Sequence, residues 1–168
     1  MVATTGDIFG QTCVVEYLPK TSAAINAGDL LQYTSTGFQT CPLTAKQIGP
    51  WAVALETKAS STTVIKAVRN KGAMVYVTAD GAINPGSYIV NSAVATAGYV
   101  VAYSANTVTN DTVGIKTARD EAKLIVGEYL AHELEGNGDS DAAGASGVAV
   151  APTAAAQGDV IRIMIGGL

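Results

Sequence analysis

The residues best equipped for chemistry lie close together in the last third of the chain. His132-Glu133-Leu134-Glu135 sets an imidazole beside two carboxylates, and Asn137-x-Asp139-x-Asp141 has the spacing that opens an oxygen-ligand calcium loop. An imidazole acting as general base needs a nucleophile oriented against it. None is offered, because Gly144-Ala145-Ser146-Gly147 is not the G-x-S-x-G elbow. The calcium motif wants Gly at its sixth position and Glu at its twelfth, where this chain has Ala142 and Val148. No phosphate-cradling P-loop or dinucleotide motif is present. Cys13 and Cys41 form no C-x-x-C pair, and His132, the one histidine, cannot complete a zinc set. Buried thiols are the expectation for the cysteines, with a Cys13–Cys41 disulfide the alternative. The chain is therefore expected to carry no catalytic residue, no metal and no cofactor, and not to be an enzyme.

Composition points the same way. The chain has 168 residues, of which 48% are hydrophobic and only 14% charged, with a formal net charge of −4. An average domain is about 25% charged. Either much of its surface is buried in an assembly, or Ala, Gly, Ser and Thr stand in for surface charge. The one basic cluster is Lys66, Arg69 and Lys71. On a strand, Lys66 and Arg69 point to opposite faces, so no phosphate-binding stripe forms and nucleic acid is not an expected partner. Asn110-Asp111-Thr112 fits a glycosylation sequon by chance. Residues 1–11 lack the basic start and apolar run of a secretory signal. No apolar run reaches the roughly 18 residues of a membrane span. A soluble, cytoplasmically made chain is expected, with no membrane partner.

The elements behind these residues are short strands punctuated by turns. Ala27-Gly28-Asp29 leads into Leu30-Leu31-Gln32-Tyr33, Pro85-Gly86-Ser87 into Tyr88-Ile89-Val90, and Gln157-Gly158-Asp159 into Val160-Ile161-Arg162-Ile163-Met164-Ile165. A second kind of segment comes after each of the first two: Ile48-Gly49-Pro50-Trp51-Ala52-Val53-Ala54-Leu55-Glu56, and Val126-Gly127-Glu128-Tyr129-Leu130-Ala131-His132-Glu133-Leu134-Glu135, within a strand expected over 124–134. Further strands are expected over 12–18, ended by Pro19, and over 38–41. Residues 62–69 and 73–78 read as a β-hairpin about Asn70-Lys71-Gly72. Residues 160–165, broken only by Arg162, should be mostly buried and end the sheet. Helix is expected only as a turn or two, at 42–47 and 117–123. The pattern predicts a mainly all-β fold, a small barrel or sandwich. It spans residues 12–168 as one domain, after an extended arm at 1–11 and with a long Gly/Ala-rich loop at 136–157. Trp51 reads as a core or barrel-end anchor, or as a hot spot facing a partner. The seven Tyr form no stacking platform beside a basic groove.

Taken in order, these turn-and-strand units resemble the small capsid decoration (cement, or head-stabilising) proteins of tailed viruses. The likeness runs over residues 23–168 and ends in Gly158-Asp159-Val160-Ile161-Arg162-Ile163. It implies a β-rich virion protein on the outer capsid surface, a homo-oligomer, typically a trimer, that clamps neighbouring major-capsid subunits. It also implies an N-terminal arm that adds to a capsid strand, which maps onto residues 1–11 with Asp7, Ile8 and Phe9 at its centre. The loop at 136–157 is longer than the family's simplest members have. The alternatives are another virion part, such as a spike base or tail-tube-like ring, or a β-barrel enzyme or ligand carrier.

Overall fold

The computed structural model describes residues 5–6, 8–9, 13–43, 51–103, 126–132 and 154–166. The segments at 44–47, 117–123 and 136–153 lie outside them. Among the described residues there is no helix. The strands are β1 (Ile8–Phe9), β2 (Val15–Pro19), β3 (Leu30–Thr34), β4 (Gly37–Thr40), β5 (Trp51–Ala54), β6 (Val64–Val68), β7 (Met74–Thr78), β8 (Tyr88–Asn91), β9 (Val100–Ala102), β10 (Gly127–His132) and β11 (Val160–Ile165). They form two antiparallel sheets, ordered β1-β7-β11-β10-β8-β9 and β2-β6-β5-β3-β4. The fold is all-β, and neither sheet closes into a barrel.

The two orders are the same order. Replacing β2, β3, β4, β5 and β6 by β7, β8, β9, β10 and β11 converts one sheet into the other, with β1 added at an edge. The irregular contacts repeat as well. Lys20 bridges Phe38 in parallel just after β2, and Ala79 bridges Val100 in parallel just after β7. Ile25 bridges Lys58, and Ile83 bridges Ala155, both antiparallel. The chain is thus a tandem pair of five-stranded units, β2–β6 and β7–β11. The segments that looked alike in the sequence occupy like places: β3 with β8, and β5 with β10. The Gln157-Gly158-Asp159 turn has a partner that the sequence pattern missed. It is Ala59-Ser60-Ser61-Thr62, closed by Thr62 N–H donating to Ala59 C=O at 3.3 Å, with no glycine. The strands entered from these two turns begin alike, as Val64-Ile65-Lys66 and Val160-Ile161-Arg162.

Residues 64–78 are not a hairpin. β6 belongs to the five-stranded sheet and β7 to the six-stranded sheet, so the Asn70-Lys71-Gly72 turn carries the chain from one to the other. Strands β1 and β2 run alongside in one common register: Ile8 opposes Val75, Phe9 opposes Met74, Val15 opposes Val68 and Pro19 opposes Val64. The same register thus holds on both sides of the crossing between the sheets. The sequence signals for turn and strands were right; which sheet each strand joins is a non-local matter. Pro19, expected just past the strand, is its last residue. It is tolerated because β2 is an edge strand. β11 is likewise not the end of its sheet but its interior, paired to both β7 and β10. Its burial alternates along the strand instead of being continuous.

Two buried clusters result. One lies in the curl of the first unit: Leu18, Ile25, Leu31, Phe38, Ala52, Ala54, Ile65 and Ala67. The three alanines keep its interior narrow. The opposite face of the same sheet puts Leu30, Val53 and Val68 into the larger cluster, against Val75, Val77, Ile89, Ile161, Ile163 and Ile165 of the second unit. Burying each such side chain contributes roughly 1.5–3 kcal/mol, so the units share one core.

Candidate interaction surface

Among the described residues, the buried charged side chains Lys20, Asp29 and Asp80 are held by turns and loops. Asp29 is buried; its Oδ2 accepts from Asn26 N–H and Thr40 Oγ1, both at 2.9 Å. Asp159 repeats the bond, accepting from Ala156 N–H at 2.7 Å. Burial raises the Asp29 pKa, against the lowering effect of the bonds from Asn26 and Thr40. Asp80 is the reverse case. Burial pushes its pKa up, but bonds from Ser92 Oγ, Thr96 N–H, Ala95 N–H and Gln157 Nε2 prevail and lower it. Lys20 is buried too, its Nζ donating to the carbonyls of Thr21, Ala59 and Thr62 at 2.9–3.2 Å. These groups had no sequence signature beyond Asp at a turn; their partners lie up to 77 residues away.

The two cysteines are thiols. Cys41 is pushed up to about 12 by burial, and Cys13 Sγ donates to Met74 C=O at 3.3 Å. Among the described residues, no three His, Cys, Asp or Glu side chains gather as a metal set. The His132 backbone lies in β10, while Glu133, Glu135 and the calcium-like stretch lie outside the described residues. Lys66 and Arg69 do not act together: Arg69 pairs with Glu16 at 3.0 Å, which raises the Arg69 pKa through that bond and charge. Also among the described residues, no helix is long and apolar enough to cross a membrane.

The residues expected to touch a partner fall in different places. Asp7 lies outside the described residues. Ile8 and Phe9 are extended, as expected of an arm, but they pair with β7 of their own chain, and Gly6 N–H donates to Tyr76 C=O at 2.9 Å. Trp51 is half-buried against the larger core, its Nε1 buried with no hydrogen-bond partner among the described residues. The structure does not bring Trp51 together with Ile8 and Phe9 in one sheet.

Besides Ile8, Tyr33, Leu43 and Val94, exposed apolar side chains occur in two further places. Val14, Tyr17 and Val64 lie along the β2–β6 edge of the first unit. Tyr88 and Met164 lie on the outer face of the six-stranded sheet. Those two positions correspond to Leu30 and Val68 of the first unit, which the second unit covers completely. In the second unit these equivalent positions are left partly exposed, Tyr88 at 39% and Met164 at 36%.

A two-unit, all-β scaffold without an assembled chemical site among its described residues defines the class. No protein-family model matches the sequence, and no curated protein sequence does. Among solved structures, the fold is similar to that of the head fiber gp8.5 N base in bacteriophage phi29, with a TM-score of 0.51 and 13% sequence identity. The match covers 92% of this chain and 95% of that one. At that identity the likeness is one of fold.

Proposed function

We propose that this chain is a virion structural protein that binds the outside of a viral capsid and stabilises it by clamping neighbouring major-capsid subunits, as a trimer. The observation that carries this reading is the fold shared, over nearly the whole of both chains, with a phage head fiber base. The turn chemistry supports it: buried Asp29, Asp80 and Lys20 serve the scaffold, which leaves surfaces and sheet edges as the means of action. Several weak contacts per trimer add through effective concentration, and area buried between capsid subunits raises the heat resistance of the shell. A second reading, the base of a projecting spike, is favoured by the name of that neighbour. Purified protein is mixed with expanded empty heads, then imaged and heated. Trimers at threefold positions and a higher head-disruption temperature are expected. Projecting single spikes would select the second reading, and bare heads or a sixfold ring would overturn the first.

A further inference from the structure

We infer that the open edge of β2 is a strand-addition site for an extended, apolar segment of a partner protein. The duplication carries the inference. In the second unit, the parallel bridge from Ala79 to Val100 draws the end of β7 toward β9, while the start of β7 is covered by β1. In the first unit, the equivalent bridge from Lys20 to Phe38 draws the end of β2 toward β4. No described residue pairs with the start of β2 on that side. Among the described residues, one unit has this edge filled and the other has it open.

The backbone directions come from the ladder. Lys20 N–H donates to Thr63 C=O at 2.9 Å, so alternate residues Leu18 and Glu16 also face β6. Val15 and Tyr17 then direct their N–H and C=O groups outward. They hold the register positions of Met74 and Tyr76, the residues that face β1 in the second unit. Pro19 has the same outward parity, and its missing N–H costs the β2–β6 ladder nothing. The surroundings fit an apolar strand. Val14 is 57% exposed, Tyr17 73% and Val64 43%; Glu16 and Arg69 neutralise each other, and Lys66 stands across the ladder from Tyr17. Main-chain bonds supply affinity in such an addition, and flanking side chains set register. The inference concerns the edge alone and does not rest on a capsid being the partner.

The test is a titration of the isotope-labelled full chain, monitored by amide NMR. The probe is a capped peptide of residues 5–10, which contains the Ile8–Phe9 strand that pairs with the equivalent edge. Shift changes are expected along 14–19 and 64–68, with amide exchange at Val15 and Tyr17 slowed about tenfold. Tyr17→Pro removes one outward N–H and should abolish both effects while leaving the rest of the spectrum in place. If that variant does not fold, the exchange measurement on the natural chain decides. No change at millimolar peptide, change confined to β7, or a chain already dimeric through β2 would each overturn the inference.

Discussion

At the scale of single residues, the two buried aspartates act in opposite directions with pH. The Asp80 pKa lies below its ordinary 3.8 in the native state, so its stabilisation is present above that value and is lost as pH falls through the lowered one. The Asp29 pKa lies above 3.8, so its charged form is the disfavoured one, and its contribution weakens as pH rises through the raised value. Asp80→Asn turns an amide donor toward groups that are all donors and should cost about 1–3 kcal/mol at neutral pH. That cost should shrink in acid, where natural Asp80 is protonated too. Asp29→Asn keeps an acceptor for Asn26 and Thr40 and removes a buried charge, so it should cost less. Urea titrations of both variants between pH 3 and 7 check the order; equal costs at pH 7 would contradict it. The buried Lys20 ammonium, tied to three carbonyls, is structural for the same reason that Asp80 is.

At the scale of elements, the turns are alike locally but not in what surrounds them. Gly28 and Gly86 both sit at positive φ, +82 and +76, in equivalent turns. A Cβ at Gly28 would collide with the Thr5 side chain, whereas one at Gly86 would meet nothing within 4 Å. Gly86→Ala should therefore cost only the backbone strain of about 1 kcal/mol. Gly28→Ala should cost more and loosen the N-terminal strand, read as faster amide exchange at Tyr76 and Met74. Equal melting shifts for the two would show that Thr5 does not pack where the structure puts it. The turn at Gly28 and the turns beginning β8 and β11 were legible because glycine marks them. The fourth, at Ser60-Ser61, was not, because it holds no glycine to mark it.

At the scale of the whole molecule, the two units should melt as one. Leu30, Val53 and Val68 come from the first and are buried against the second. Val68→Ala should cost about 2 kcal/mol and lower a single calorimetric transition, with calorimetric and van't Hoff enthalpies still equal. Two separated transitions would mean that each unit holds its own core. The stack also has a direction. The first unit's outer face is covered by the second, and the second's equivalent face, at Tyr88 and Met164, is left at the surface. The two ends of the stack are therefore unequal.

The sequence by itself determined the class of fold, since alternating apolar runs and glycine turns are local signals. It also placed β3, β5, β8, β10 and β11 within a few residues. Its repeated units were traces of a real duplication. Tertiary structure decided what local signals cannot carry. The bend at Asn70-Lys71-Gly72 sends β6 and β7 to different sheets, because the partner strands lie at residues 8–19 and 160–165, far away in the chain. β11 is interior because two strands claim its two edges. Whether β7 or β2 is left open depends on one short strand, Ile8–Phe9, and on the single edge it covers.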